Sequence, residues 1–139
     1  MSRTVDVVRR LFTAVANRDL GTLLDCYHDE VEIHESPALP YGGVYRGLDG
    51  AGRHARAFAE AWGPYQSTRG TPLDPMFSEG EDGAVTVMFR HRAVDVDRHR
   101  RLDTAEVGIY HVLDGKVARA QMFHFDPSEL TRFLASRSA

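Results

Sequence analysis

Apolar residues in the first part of the chain recur every three or four positions, and this spacing predicts an amphipathic helix. The residues on its apolar face are Val5, Val8, Leu11, Phe12 and Val15. Thr4 can cap the start of this helix, and residues 17–19 interrupt it. Asp19 then caps a short second helix, which has its own inward stripe. The members of that stripe are Leu20, Leu23, Leu24 and Tyr27.

Strict alternation of apolar and polar residues follows at positions 31–35 and predicts a β-strand. Residues two apart share one face of a strand, so Glu35 points with Val31 and Ile33 toward the apolar interior. A carboxylate in that position must be paired, neutral or functional. Glu35 is therefore the first candidate functional residue.

A loop rich in proline and glycine, residues 36–47, separates this strand from a third predicted helix. We expect the helix to begin near Asp49 and to end at Gly63 and Pro64, because proline interrupts helical hydrogen bonding. One face of this helix is apolar at the expected spacing. That face carries Ala51, Ala55, Phe58 and Trp62.

From about Tyr65 onward the pattern becomes that of short strands. Pro72 and Pro75 indicate that the first of them is an edge or bulged strand. The remaining segments are a strand containing Val85, Val87 and Phe89, a charged turn at 95–103, a strand at 105–112, a hairpin at 113–116 and a strand at 117–125. Asp126 and Pro127 mark the start of a last helix.

Helices followed by antiparallel strands predict a single α+β domain over residues 1–139, with the helices on one face of a curved sheet. A strongly bent sheet leaves a hollow on its concave side, which we expect to be a ligand pocket closed by the third helix. The outer face carries Val107, Ile109 and His111 in alternation with Gly108 and Tyr110. This half-apolar face predicts a homodimer.

The composition favours a globular protein that acts on small molecules. Hydrophobic residues make up 42% of the chain, charged residues 27%, and the net charge is -3, so no electrostatic feature favours nucleic acid or a membrane surface. The basic stretch 98–101 is interleaved with aspartates and is expected to be a solvated turn. The start of the chain lacks the pattern of a signal peptide, and Cys26 has no cysteine partner, so we expect a cytoplasmic protein. We place Cys26 at a half-buried helix position.

Histidine is the chemically unusual part of the composition, with seven residues. His91 shares the face of Phe89 and either points into the pocket or is solvated where its strand leaves the core. His54 lies at the edge of the apolar stripe of the third helix, so it either reaches the pocket roof or lies on the surface. No histidine pair has a metal-ligand spacing with a third ligand, and no phosphate-binding glycine loop is present. We therefore expect no cofactor and no metal.

Aromatic residues form a second group of candidates. Tyr41, Tyr45 and Trp62 either line the mouth of the pocket, where a flat ligand can stack, or pack the loop onto the third helix.

Several strings of residues resemble the nuclear transport factor 2-like superfamily, in its SnoaL-like and ketosteroid-isomerase-like branch. These are residues 24–35, the loop ending in Tyr45-Arg46-Gly47, residues 114–117 and residues 123–127. The resemblance covers nearly the whole chain and implies a cone-shaped curved antiparallel sheet, with three helices from the N-terminal half over its concave face and a short C-terminal helix. It places Glu35 where the isomerases have their carboxylate base, and it implies that Glu106 and Tyr110 face into the cone.

The chain departs from the better-known members at their partner residues. The tyrosine donor of the isomerases maps onto Leu11, and their protonated acid onto Gly108. The arginine and aspartates of the epoxide hydrolases map onto Phe89, His91 and the vicinity of Met122. The resemblance therefore does not imply either of those mechanisms.

The direction of His124 stays open at this stage. Counting forward from the hairpin puts Ala120, Met122 and His124 inward, whereas the family's commoner spacing, counted back from Asp126, puts Phe123 and Phe125 inward. A β-bulge in a strand one residue longer than usual would decide between them. We favour the inward direction for His124.

Together these features predict a small cofactor-free enzyme that acts on a hydrophobic, oxygenated molecule such as a polyketide or terpenoid intermediate. Glu35, His91 and His124 are its predicted catalytic residues. The predicted ligand-binding residues are Tyr41, His54, Trp62, Phe89, Glu106, Tyr110 and Met122. The alternative is a non-catalytic binding or assembly module. A hollow filled by Phe89, Phe123 and Trp62 would favour it, and an open cavity with a histidine bonded to Glu35 would favour the enzyme.

Overall fold

The computed structural model describes residues 3–65 and 73–135 and confirms the α+β class. The helices are α1 (Arg3–Asn17), α2 (Leu20–Asp25), α3 (Gly47–Trp62) and α4 (Pro127–Ala135), with a 3-10 turn at Gly63–Tyr65. The strands are β1 (Tyr27–Glu35), β2 (Gly43–Arg46), β3 (Met76–Glu79), β4 (Ala84–Asp95), β5 (Arg100–Leu113) and β6 (Lys116–His124). No helix in these two ranges is long and apolar enough to cross a membrane.

The six strands form one sheet in the order β2-β1-β6-β5-β4-β3. Four neighbouring pairs are antiparallel, as expected. The β1 and β6 strands instead run parallel, which makes the sheet mixed. Parallel neighbours need a crossover connection, and here the chain passes through β2, α3 and three further strands before β6 returns beside β1.

Several predicted boundaries need correction. Thr4 lies inside α1 and not before it, and α3 begins at Gly47, two residues earlier than expected. Residues 43–46, predicted to be loop, form β2 because they pair with the end of β1. Tyr65 belongs to the 3-10 turn, whereas Pro72 lies outside the described residues.

Two predictions in and beside α2 are also wrong. Leu20 is largely exposed, because it occupies the first turn of this short helix. Cys26 is fully buried, because it lies at the helix end where the chain enters β1. The predicted cap of α2 is confirmed, since the Asp19 carboxylate accepts a hydrogen bond from the Thr22 backbone at 3.1 Å.

A bulge in β6 sets the direction of the residues that follow it. Val112 pairs with Val117, but the preceding residue His111 pairs with Arg119, so Ala118 is the extra residue. Beyond the bulge, Tyr110 pairs with Ala120 and Glu106 with His124. The inward direction of His124 is therefore confirmed, and Phe123 faces outward with 48% of its surface exposed.

Buried apolar residues form two clusters. The first joins α1 to the inner face of the sheet and includes Phe12, Ile33 and Val87. The second joins α4 and the end of α3 to the loop after β1, and includes Tyr41, Trp62 and Leu130. Members of both clusters line the cavity described next.

Candidate active site

A cavity of about 330 Å³ opens between the helices and the inner face of the sheet. Its walls are mainly apolar and aromatic, and the titratable groups that line its buried part include two carboxylates and two histidines. The residues around the polar end are Glu35, His54, Phe58, Trp62, Phe89, His91, Glu106, Tyr110 and Met122. Arg18, Asp19 and Arg56 are exposed and lie at the cavity rim. The predicted hollow is therefore open, with room for a small molecule.

Glu35 and His54 form the first acid–base pair. Glu35 is the last residue of β1, and strand alternation buries its side chain until only 3% is exposed. His54 faces it from α3, with Nε2 at 2.8 Å from Glu35 Oε2 and 12% of the side chain exposed. Tyr45 packs edge-on against the His54 ring, with centroids 5.0 Å apart. The pair is thus fixed in orientation and faces the cavity.

His91 and Glu106 form a second pair on the neighbouring strands. The strand register pairs Phe89 with Glu106 and His91 with Thr104. The side chains of His91 and Glu106 are therefore diagonal neighbours on the inner face of the sheet. His91 Nε2 lies 2.6 Å from Glu106 Oε1, and both side chains are buried. Trp62 stacks on the His91 ring with centroids 4.6 Å apart and an interplanar angle of 11°. This stacking holds the imidazole flat against α3.

His124 lies between the two pairs. Its Nε2 is 3.7 Å from Glu35 Oε1, its Nδ1 is 3.3 Å from Glu106 Oε1, and only 1% of the side chain is exposed. Neither nitrogen makes a well-aligned hydrogen bond. His124 does not line the cavity, so it contacts the two carboxylates from behind.

The ionisation of this group of side chains follows from burial opposed by ion pairing. Burial by itself would raise the pKa of Glu35, but contacts with His124 and His54 outweigh it, and the pKa lies below its usual value. Burial would lower the pKa of His124, but Glu35 and Glu106 outweigh it, and the pKa lies above its usual value. The contact between Glu35 and His124 therefore favours the charged form of each.

The phenols around the pairs are held neutral. Burial, followed by the nearby carboxylates, raises the pKa of Tyr41 and Tyr110 well above the usual value. Burial and Glu35 raise the pKa of Tyr27 in the same way. These hydroxyls remain donors at neutral pH. The Tyr110 hydroxyl lies 3.6 Å from Met122 Sδ.

Most of the predicted site residues meet in this cavity. Glu35, His91 and all the predicted ligand-binding residues except Tyr41 line it. Tyr41 is a correction, since it is 1% exposed, does not line the cavity, and accepts a hydrogen bond from Trp62 Nε1 at 3.1 Å. Its position depends on how the loop after β1 folds back, which the residue pattern does not encode.

Sequence reasoning missed the contribution of α1 and α2 to the cavity. Leu11, Phe12 and Val15 belong to the predicted apolar face of α1, and Leu23 to that of α2, yet each also lines the cavity. Their spacing identified a buried helix face but did not indicate that part of this face lines a cavity. Phe58 was likewise predicted as part of an apolar stripe and not as a cavity residue.

Glu35, Glu106 and His124 each have one oxygen or nitrogen atom that lies within 4.8 Å of the corresponding atoms of the other two. Atoms at this spacing could bind one metal ion. The two carboxylates, however, approach opposite nitrogens of the same ring. A single ion can bind only one of those nitrogens, so a bound metal would replace one of the two contacts between His124 and the carboxylates. Without a metal, the three side chains form a chain of histidine–carboxylate contacts.

The sequence is similar to an uncharacterized protein of Mycobacterium tuberculosis. The two chains are 29% identical over 131 residues, which cover 94% of this chain and 95% of the relative. The profile of the SnoaL-like domain matches residues 8–120 of this chain. That match extends from α1 to the inner part of β6, and so includes Glu35, His91 and Glu106.

Solved structures agree on the fold. An NTF2-like protein of unknown function from Burkholderia pseudomallei has a TM-score of 0.79 at 22% identity, covering 96% of this chain and 98% of that one. TerC, co-crystallized with polyporic acid, has a TM-score of 0.79 at 19% identity, with the same coverage. A protein from Xanthomonas campestris, suggested to be a polyketide cyclase, has a TM-score of 0.71 at 15% identity, covering 96% and 95%. This chain belongs to the SnoaL-like domain family, and its fold is shared with NTF2-like proteins.

Proposed function

We propose that this protein is a cofactor-free enzyme that carries out general acid–base chemistry on a hydrophobic, oxygenated small molecule. The observation that carries the proposal is the Glu35 and His54 pair, bonded at 2.8 Å in the wall of an open, mainly apolar cavity. A buried carboxylate with an oriented histidine can remove a proton from a carbon next to a carbonyl, or from a water or hydroxyl group. Isomerisation, cyclisation and hydration are the reaction types that need only these groups.

The shape and lining of the cavity support the substrate class. Phe58, Phe89 and Trp62 provide flat apolar surfaces, which favour a ring system. The second pair, His91 and Glu106, provides a donor or acceptor for a further oxygen of the substrate. The co-crystal of TerC with polyporic acid and the suggested cyclase from Xanthomonas campestris add support from the same fold. A polyketide or terpenoid intermediate fits these requirements.

Within this proposal Glu35 is the general base and His54 the group that orients it. His91 is the acid that donates to a substrate oxygen on the other side of the cavity. His124 was predicted to be a proton partner of the substrate, but its position behind the carboxylates favours a different role, which is developed below.

The alternative is a binding module that holds a ligand without chemistry. A hollow filled by Phe89, Phe123 and Trp62 was the feature expected of such a module. Phe123 instead lies on the outer face of the sheet, and a cavity of about 330 Å³ remains. The two acid–base pairs in the cavity wall also favour the enzyme, because ligand binding alone does not require them.

The proposal can be tested with Glu35→Gln and with a control that makes the same substitution at a glutamate outside the cavity. The purified protein is screened by thermal shift against polycyclic hydroxyketones, and binders are then followed for conversion by mass spectrometry. Glu35→Gln is expected to bind within a few fold of the native protein and to lose activity by about 10²–10⁴-fold, as is typical for a general base.

Glu32→Gln is the matched control, because Glu32 pairs with His34 at 3.0 Å on the same strand but faces away from the cavity. It is expected to keep full activity. Equal turnover by Glu35→Gln and the native protein would contradict the proposal.

A further inference from the structure

We propose that His124 is a positioning residue, a buried imidazolium that holds the Glu35 and Glu106 carboxylates beside each other and joins the two cavity-facing pairs into one acid–base unit. The inference deepens the proposed function and rests on it in treating Glu35 as a working group. It also revises the predicted role of His124, which acts through the carboxylates and does not touch the substrate.

The first argument is the placement of the two ring nitrogens. Nε2 faces Glu35 Oε1 and Nδ1 faces Glu106 Oε1, at 3.7 and 3.3 Å. A neutral imidazole carries a proton on one nitrogen and a lone pair on the other. In either tautomer that lone pair would face a carboxylate oxygen, which is repulsive. The doubly protonated ring presents an N–H to both oxygens.

The second argument is burial without other partners. The ring nitrogens and Glu35 Oε1 are buried atoms without a hydrogen bond. Unpaired buried polar atoms are costly, and the cost falls when they are opposite charges facing one another. His124 and the two carboxylates therefore need one another.

The surroundings of His124 supply the charge balance. The groups that face it or its partners are Glu35 on β1, Glu106 on β5, His91 on β4, His54 on α3 and the phenols of Tyr27, Tyr41 and Tyr110. The phenols are neutral at physiological pH, so the two carboxylates are balanced by histidines. His124 is the histidine that lies between them.

The two carboxylate oxygens of Glu35 contact histidines on opposite sides, one at the cavity and one behind it. Oε2 contacts His54 at the cavity, and Oε1 contacts His124 behind it. A carboxylate held from both sides has little freedom to rotate, which is the condition for efficient proton transfer to a bound substrate. Losing His124 would free this carboxylate and leave two negative charges close together.

The charge of His124 can be measured without a substrate, so this test is independent of the test of activity. The imidazole nitrogens and the glutamate carboxyl carbons are titrated by NMR, with His124→Gln and Glu35→Gln used for assignment. The pKa of His124 is expected to lie above its usual value of 6.5 in the native protein. It is expected to fall by about one pH unit in Glu35→Gln, and the Glu35 midpoint to rise by a similar amount in His124→Gln.

His111→Gln is the control, because His111 is an exposed histidine on β5. It should leave the Glu35 titration unchanged. If His124→Gln does not fold, Glu35→Gln and Glu106→Gln still report on the imidazole of His124. A His124 midpoint at or below 6.5 would overturn the inference, and so would tight binding of Zn²⁺ that shifts the His124 signals.

Discussion

At the scale of single residues, the central feature is a row of alternating histidines and glutamates that crosses the inner face of the sheet. His54, Glu35, His124, Glu106 and His91 follow one another at contact distances of 2.8, 3.7, 3.3 and 2.6 Å. The five residues come from five different elements, which are α3, β1, β6, β5 and β4. In this order every glutamate lies between two histidines, so no buried carboxylate is left without a polar partner.

The row makes stability depend on pH in a defined direction. Since the folded pKa of His124 is raised above 6.5, its stabilising effect is complete below that value and is lost as the pH rises through the folded pKa. Since the folded pKa of Glu35 is lowered below 4.5, its effect is present above that value and is lost as the pH falls through the folded pKa. Maximum stability is expected between these limits. Urea unfolding across that range measures it, and His124→Gln should remove the decline on the alkaline side.

Substitution of Gly108 tests how tightly Tyr110 is packed at the cavity wall. A Cβ at position 108 would lie 2.6 Å from the Tyr110 ring, so Gly108→Ala must displace a buried aromatic side chain. We expect a loss of about 1–3 kcal/mol in the free energy of unfolding, measured in urea. Gly63→Ala is the control, since no heavy atom of the described residues, apart from its chain neighbours and its own helix backbone, lies within 4 Å of its Cβ. A loss as large as that of Gly108→Ala would contradict this explanation.

At the scale of elements, the cavity lies where the helices cover the inner face of the sheet without filling the space above it. The α4 helix closes one end by burying Leu130, Phe133 and Leu134 in the second cluster. Its start is fixed by Asp126, whose carboxylate accepts a hydrogen bond from the Glu129 backbone at 3.0 Å. Capping and burial together hold the helix in place.

Asp126→Ala should therefore destabilise the protein by about 0.5–2 kcal/mol, because the helix start loses its acceptor. Asp126→Asn keeps an acceptor and should remain close to the native stability. Both free energies come from equilibrium unfolding. Equal losses in the two variants would show that charge, and not the cap, is the relevant property.

Sequence patterns predicted the elements that follow a simple period. Alternation was enough to bury Glu35, and helical spacing was enough to find the inner faces of α1 and α3. Alternation put His91 on the inner face but left open whether it was buried or solvated, and the structure shows it buried. The direction of His124 depended on the bulge at Ala118, a single extra residue that no period reveals. The contact of His54 with Glu35 joins a helix to a strand across the cavity, so only the folded chain defines it. Tyr41 was misplaced because a loop has no period.

At the scale of the whole molecule, the outer face of the sheet carries exposed apolar residues that the site does not use. Met76 pairs with Met88, Met88 with Val107 and Val107 with Phe123, so one apolar row crosses four strands. Met76, Met88 and Phe123 are 62%, 43% and 48% exposed. The Arg90 and Asp103 ion pair borders this row. If two copies meet around a two-fold axis, the apolar row of one copy packs on that of the other, and the Arg90 and Asp103 of each copy can pair across the axis. This self-complementarity favours a second copy as the partner.

We therefore expect a homodimer through this face, as the sequence analysis predicted. Met88→Glu and Phe123→Glu place charges in the row and should shift the protein to monomers in sedimentation-velocity experiments. Leu113→Glu is the control, because Leu113 is exposed at the hairpin before β6 and lies away from the row. A native protein that is monomeric at all concentrations would contradict the expectation.

The most direct test of the proposed acid–base chemistry follows deuterium exchange at a carbon next to a carbonyl. The tightest-binding hydroxyketone is incubated with the protein in D₂O, and loss of the proton signal is recorded by NMR. The native protein and Glu32→Gln are expected to exchange this proton at least about 100-fold faster than Glu35→Gln. Exchange at the same rate in the native protein and in Glu35→Gln would contradict the account, because Glu35 would then not be the base.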